Sequence, residues 1–327
     1  MTQADTRWMG AALALAERGR GRTVPNPNVG CVIVREGRVV GRGWTQAGGR
    51  PHAEAMALSE AGTNARGATA YVTLEPCAHQ SPRGPACSTL LIEAGVARVV
   101  AALEDPDART AGQGFARLEA AGIAVTRSVR ANEARRSMAG FLTRQALGRP
   151  HVTLKLATSL DGCIAMADGS SRWITGPQAR AHAHLERSRH EAILVGRGTY
   201  DADAPRLDVR LPGLEARGPM RVLLSSTVQD MSGWTVIAAP HDIATLPGVD
   251  HILVEGGAAV ASAFLAADLV DRLLLYRAPI LIGGGKPALR DIGLTDLTKA
   301  HGRWAIVDAR QLGMDRLEVY ERERNEA

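Results

Sequence analysis

His52, Cys77 and Cys87 can all bind a soft divalent metal, and any fold open to this chain must bring them to one point. A neutral imidazole and two thiolates give a zinc ion three ligands. They leave a fourth tetrahedral position for a water whose pKa the metal lowers toward neutrality. Glu54, two residues past the histidine, is the carboxylate placed to carry protons between such a water and a leaving group. Both ligand clusters open apolar-periodic runs, at 52–61 and 87–94, and are expected at helix N-termini, where the dipole favours thiolate over thiol.

The zinc-deaminase signature is His-x-Glu followed by Pro-Cys-x-x-Cys; here the second cysteine follows the first by ten positions, so the loop is longer. Two plainer readings compete. One is a buried histidine with two unrelated core cysteines; the other is a structural zinc, which calls for a fourth protein ligand. His79 is placed either as that ligand or as a loop side chain lining the pocket, and the second reading is preferred.

At 327 residues the chain has room for two domains. Its net charge of +5 comes from scattered arginines with few lysines. No basic run interleaved with aromatics marks a nucleic-acid groove, and a basic surface suits anionic small molecules equally well. Cys31 and Cys163 stand singly, which argues for a reducing compartment, the cytoplasm, with no disulfide framework. Residues 9–16 read as an amphipathic first helix rather than a leader. No apolar run approaches the roughly twenty residues that cross a bilayer.

Pro25-Asn26-Pro27-Asn28 is a rigid turn into an apolar strand at 29–34, and Glu36-Gly37 turns the chain into a second strand at 38–43. Helices are then expected from 52, from 87, at 112–121 and from 132, with strands at 70–74, 98–103 and 123–129, a three-layer α/β pattern. Pro25 to Gly30, Pro51-His52-Ala53-Glu54, Leu74-Glu75-Pro76-Cys77-Ala78-His79, Cys87 and Ala94-Gly95-Val96 together resemble the deaminase domain of the bifunctional riboflavin-biosynthesis deaminase-reductases. The resemblance covers residues 7–147. It implies a cytidine deaminase-like three-layer α/β/α domain at 1–147, one zinc ion per chain, Asn26 against a pyrimidine and Glu54 as proton shuttle. The plain alternative for Asn26 is a turn asparagine capping its neighbours. Where the family commonly has Gly-x-Thr-Pro-Pro before the second cysteine, this chain has Ser81-Pro82-Arg83-Gly84-Pro85-Ala86, one residue longer.

Gly148-Arg149-Pro150 ends a helical run and makes a hinge, so the second domain is expected to span 148–327. It opens with a strand at 151–156. No Gly-x-Gly-x-x-Gly follows a strand, which excludes a Rossmann dinucleotide site. Lys155 to Gly162, Ser171-Arg172-Trp173-Ile174-Thr175, residues 192–196 and 199–210, and Val254-Glu255-Gly256-Gly257 resemble the reductase domain of the same family, over 148–321. That domain is similar in fold to dihydrofolate reductase, an α/β fold. Its implied substrate is an aminopyrimidine bearing a ribose 5-phosphate, which calls for cations and polar groups. By the resemblance, Ser171, Arg187, Leu207, Arg210 and Glu255 contact substrate; Ala157, Trp173, Thr175, Thr199, Asp203 and Gly257 line an NADPH; Lys155 and Asp203 influence the hydride step. Without it, Arg187 in a helical run at 182–194 reads as a solvated face residue, Trp173 as core and Asp203 as a turn cap.

Glycine-rich 254–257 opens a helix at 258–266 whose amides are suited to a cofactor phosphate. Gly283-Gly284-Gly285 reads only as a flexible loop, and 321–327 as a frayed tail. Cys163 stands where the family commonly carries a basic residue, with Arg172 as the neighbour that could substitute for it.

The implied function is zinc-dependent hydrolytic deamination of 2,5-diamino-6-(5-phosphoribosylamino)pyrimidin-4(3H)-one, followed by NADPH-dependent reduction of the ribosyl side chain to ribityl phosphate. A nucleic-acid base deaminase with a non-catalytic C-terminal binding domain is the alternative. It requires a basic channel with stacking aromatics, and the first half offers only Trp8, Trp44, Tyr71, Phe115 and Phe141. The partner is therefore expected to be a small molecule, with no nucleic acid and no membrane. An exposed sheet edge in the second domain is expected to pair into a homo-oligomer, a dimer or tetramer.

Overall fold

The structure, a computed structural model, describes residues 2–79 and 83–324. The chain divides into two compact units, with the division between Gly148 and Arg149. Gly148 ends the last helix of the first unit in a left-handed conformation, as a glycine after a helix does readily.

The first unit begins with helix α1 (Gln3–Ala16), which Thr2 and Asp5 close at its start in a reciprocal capping box. The hairpin β1 (Gly30–Arg35) and β2 (Arg38–Trp44) follows, then α2 (Ala53–Ala61), β3 (Thr69–Val72), α3 (Cys87–Glu93), β4 (Arg98–Ala101), α4 (Gln113–Ala120), β5 (Ala124–Thr126), α5 (Ala131–Ser137) and α6 (Ala139–Leu147). The strands form one sheet in the order β2-β1-β3-β4-β5. β1 runs antiparallel to both neighbours, and β3, β4 and β5 run parallel.

Glycines set how closely the helices approach. A Cβ on Gly41 or Gly43 of β2 would fall 2.1 Å from the carbonyl oxygen of Ala57 or 2.0 Å from that of Ala53, so α2 lies directly on bare backbone. On β1, Gly30 meets Ala12 of α1 in the same way. Ile33 and Cys31 pair with Gly41 and Gly43, and Gly30 points to the other face. Helices α1 and α2 therefore cover opposite faces, which gives three layers. Met9, Ile33, Leu91, Phe115 and Leu118 fill the core between them.

The second unit comprises β6 (His151–Thr158), β7 (Cys163–Ala165), α7 (Pro177–Arg187), β8 (Ala192–Gly196), α8 (Arg197–Asp203), β9 (Met220–Leu224), β10 (Thr235–Ile237), β11 (His251–Val254), α9 (Ala258–Ala266), β12 (Arg272–Arg277), β13 (Lys286–Pro287), β14 (Trp304–Leu312) and β15 (Asp315–Arg322). Its main sheet has the order β10-β9-β8-β11-β6-β12-β15-β14. The pairings are parallel as far as β12 and antiparallel at β15 and β14. Val152, Leu154, Leu194, Val222 and Phe264 form its core.

Three expectations are corrected. The helical run at 182–194 is two elements, because α7 stops at Arg187 and residues 192–194 are fully buried strand; an apolar run that short does not separate the two by periodicity. Gly283-Gly284-Gly285 is no free loop: Asp161 accepts from the Gly283 N–H at 2.8 Å, and β13 pairs with β7 beside it. In the supposed tail, Glu321 and Arg322 belong to β15 and Arg324 pairs with Asp271 at 2.5 Å; residues 325–327 lie outside the described ones. Among the described residues, no helix is long and apolar enough to cross a membrane.

Candidate active sites

His52 is the N-cap of α2 and Cys87 the first residue of α3. Cys77 lies in the segment after β3, where the hydroxyl and N–H of Ser88 both bind its carbonyl, at 3.0 and 3.2 Å. The three metal-binding atoms lie within 4.8 Å of one another. His52 Nδ1 stands 3.3 Å from Cys87 Sγ and 3.7 Å from Cys77 Sγ. On the far side of the ring, Asn26 Nδ2 lies 2.9 Å from Nε2 and donates to the Gly49 carbonyl at 2.8 Å. That contact, in which Nε2 accepts from the Asn26 amide, holds the ring with Nδ1 toward the sulfurs. The Cys87 N–H donates to Cys77 Sγ at 3.2 Å. The hydrogen bond from the Cys87 thiol, more than any other contact, holds Cys77 down to about 4, and the same bond, with burial, pushes Cys87 up. Two sulfurs and one ring nitrogen converging at helix starts fit zinc by donor chemistry.

Glu54, 3% exposed, stands on the first turn of α2 behind this cluster. Burial pushes its carboxyl up to about 7, within hydrogen-bond reach of Cys87. The carboxylate paired in the motif with Cys77 does something the sequence did not announce. Buried Glu75 accepts from the N–H groups of Asp105, Gly112 and Phe115 at 3.2, 3.0 and 3.1 Å, so it fastens the start of α4 to the ligand segment. His79 binds Thr110 Oγ1 at 3.2 Å and is not among the converging donors. Of the longer loop, Ser81 and Pro82 lie outside the described residues. Arg83, Gly84 and Pro85 line, with Arg50, His52 and Cys87, a cavity of about 260 Å³.

In the second unit the structure gathers Lys155 of β6, Arg187 of α7 and Glu255 after β11. Arg187 Nε and Nη2 bind Glu255 at 2.7 and 2.9 Å, and Lys155 Nζ stands 3.7 Å from it. Burial alone would raise the Glu255 carboxyl; Arg187 and then Lys155 outweigh it and hold it down to about 2. The remaining Arg187 nitrogen donates to the Asp208 carbonyl at 3.1 Å. Arg187 is thus no solvated face residue; all three of its nitrogens are engaged.

A second group forms where Thr199 Oγ1 accepts the Gly257 N–H at 3.1 Å. Gly257 starts α9 without a side-chain cap, and a helix N-terminus left open beside a glycine fits a nucleotide phosphate. Ala157 lies half-buried on β6, and Ser171 and Thr175 are half-buried in the segment before α7. Trp173 is 63% exposed, with the Arg180 guanidinium over its ring, and so is not core.

Asp203, exposed at the end of α8, pairs with Arg172 at 3.5 Å, and Cys163 is buried beside Asp161 and the Gly283 carbonyl. Leu207 has its side chain buried with Ile193, Val195 and Leu223, so any ligand contact falls to its backbone. Arg210 is exposed, 3.4 Å from Asp208, which also pairs with Arg206 at 3.1 Å. Asp208 is the hub that sequence reading missed. Its signal was the run Arg206-Leu207-Asp208-Val209-Arg210, with charges at three alternate positions.

Family models match both halves: a cytidine and deoxycytidylate deaminase zinc-binding region over residues 2–103, and a RibD C-terminal domain over residues 150–246 and 242–315. The riboflavin biosynthesis protein RibD of Escherichia coli is 41% identical, with 95% of this chain and 97% of that protein covered. RibD of Mycobacterium tuberculosis H37Rv is 41% identical, covering 94% and 95%. Among solved structures, Acinetobacter baumannii RibD superposes with a TM-score of 0.86 at 34% identity, covering 98% of this chain and 99% of that one. A diaminohydroxyphosphoribosylaminopyrimidine deaminase/5-amino-6-(5-phosphoribosylamino)uracil reductase from Thermotoga maritima gives 0.87 at 31%, with the same coverage. The first unit is thus cytidine deaminase-like, and the second is a RibD C-terminal, dihydrofolate reductase-like domain.

Proposed function

The chain belongs to the RibD family of riboflavin-biosynthesis proteins, and from that premise we propose how its two halves divide the work. It is a bifunctional enzyme that deaminates the diaminopyrimidine ribosyl phosphate and then reduces the ribosyl chain to ribityl with NADPH. Residues 1–147 carry the first reaction and 148–327 the second. The observation that supports this reading best is the convergence of His52, Cys77 and Cys87 in front of a buried carboxyl poised near neutrality.

His52, Cys77 and Cys87 would hold zinc, which when bound supplies a Lewis acid that activates water. Glu54 takes the proton that the attacking water gives up and passes it to the departing amino nitrogen. The ring carbon thereby exchanges a C–N bond for C–O, and ammonia leaves. Asn26 steadies His52 and presents its amide to the pyrimidine.

In the second half, NADPH when bound would supply the hydride for reduction of the sugar. Thr199 and Gly257, with Ala157, Trp173, Thr175 and Asp203, would line the cofactor. Glu255 holds Lys155 and Arg187 in place; Lys155 orients the sugar and steadies charge on its oxygen, while Ser171, Arg210 and the Leu207 backbone bind the rest of the substrate. Four free cysteines and an NADPH requirement suit the cytoplasm. The edge strand β14, with Ile306 exposed, would pair with its counterpart in a second copy. Ile306→Lys is then expected to shift the sedimenting species toward monomer.

The decisive experiment follows ammonia release and NADPH oxidation separately on the zinc-loaded protein, with the diaminopyrimidine substrate and with its deaminated product. Both signals are expected. Ammonia without NADPH consumption removes the reductase assignment, and neither signal removes the whole reading.

A further inference from the structure

We propose that Arg50, with Arg83 beside it at the cavity mouth, anchors the phosphate of the deaminase substrate. This rests on reading the first unit as a deaminase of a phosphorylated pyrimidine. Arg50 precedes His52 by two residues, is half-buried, and lines the cavity that also contains His52 and Cys87. Several other arginines of this unit have carboxylate partners, among them Arg42 with Glu60, Arg98 with Asp5 and Arg109 with Asp107. Among the described residues, no hydrogen bond or ion pair joins Arg50 to a protein group. Its guanidinium donors are therefore free to meet an anion that enters the cavity.

The wall opposite is shaped to leave it room. A Cβ on Gly84 would lie 2.9 Å from Arg50 Nη1, and the Gly84 φ of +145° is one that side chains rarely adopt. Arg83 ties the two rims together by donating to the Gly48 carbonyl at 2.6 Å. A ribosyl phosphate whose pyrimidine sits at the His52, Cys77 and Cys87 cluster extends out of the cavity, where a forked guanidinium binds a phosphate dianion through two N–H groups.

The test compares Arg50→Gln with wild type on the phosphorylated substrate and on the same compound without phosphate, with ribose 5-phosphate as competing probe and the zinc content of each preparation measured. Arg50→Gln is expected to raise KM for the phosphorylated substrate about 10- to 100-fold, while kcat stays within about threefold. The dephosphorylated compound should show no difference, and ribose 5-phosphate should inhibit wild type much more than the variant. Gly84→Ala, which displaces the guanidinium, should act in the same direction. Equal loss on both compounds, or loss of zinc, would show that Arg50 supports the thiolates instead and would overturn the proposal, as would an unchanged KM. If wild type releases ammonia from neither compound, the deaminase reading has failed and takes this proposal with it.

Discussion

Glu54 and Glu255 are both carboxylates withdrawn from water at the site of their unit, and the two are set in opposite ways. Glu54 sits behind two sulfurs, with no cation bonded to it, and burial pushes it up to about 7. Glu255 is withdrawn from water as well, yet it is clamped by Arg187 and Lys155 and held down to about 2. Burial is common to both, so the neighbours decide the role. A carboxyl near 7 gives and takes protons at physiological pH, whereas one near 2 is a permanent charge. The first suits hydrolytic deamination, which moves protons twice. The second suits a hydride transfer in which the protein positions two cations and a sugar.

Exchanging each carboxylate for an amide tests this contrast most severely. Glu54→Gln keeps the shape and removes the proton carrier, so ammonia release is expected to fall about 10²- to 10⁴-fold, while NADPH oxidation with the deaminated product is unchanged. Glu255→Gln should do the reverse. It leaves Lys155 and Arg187 without their counter-charge and should destabilise the second unit by about 3–5 kcal/mol, abolishing reduction and sparing deamination. If either variant damages both activities, the two sites are not independent.

The contrast also explains how far the sequence could be read. His52, Glu54 and Cys87 were legible because each depends on a neighbourhood of a few residues: a helix start, a spacing of two, an apolar run that follows. Glu75 was visible only as part of a motif, since its three N–H partners come from a segment 30 to 40 residues further on. Arg187 was taken for a substrate cation by resemblance and for a solvated residue by local pattern. Its actual partner, Glu255, lies 68 positions away, and no periodicity connects the two. The break between α7 and β8 was lost for a related reason: residues 192–196 are buried on every side, so they carry no alternation to mark them as strand.

A gentler probe is pH, and the two units should respond with opposite signs. Glu255 is depressed from an ordinary value of 4.5, so the stability it contributes is fully present above about pH 4.5 and lost as pH falls toward 2. Glu54 is raised from 4.5, so its neutral form is favoured by the fold. That contribution is complete below about pH 4.5 and disappears as pH rises through 7. Each effect is on the order of 3 kcal/mol. Amide exchange of peptides from each unit, followed between pH 3 and pH 8 in chelator, reads them separately. Glu54→Gln should flatten the dependence in the first unit alone and Glu255→Gln in the second alone; a common slope in both units contradicts the assignment.

The smallest effect concerns the start of α9 in the second unit, which no side chain caps. Thr199→Val preserves volume but leaves the Gly257 N–H without its 3.1 Å acceptor, which should cost about 1 kcal/mol and raise KM for NADPH about fivefold with kcat nearly unchanged. A purely structural bond would give the same stability loss, so a second variant separates the roles. Gly257 has an ordinary negative φ, and a Cβ there would meet Thr199 Oγ1 at 3.4 Å, a normal contact. Gly257→Ala should therefore fold as well as wild type, yet its methyl would stand where a phosphate approaches the helix amides. Weakened NADPH binding with unchanged thermal stability makes this segment the cofactor cradle. Unchanged NADPH binding means the glycine serves only the chain's own turn, and the cofactor phosphate is held elsewhere.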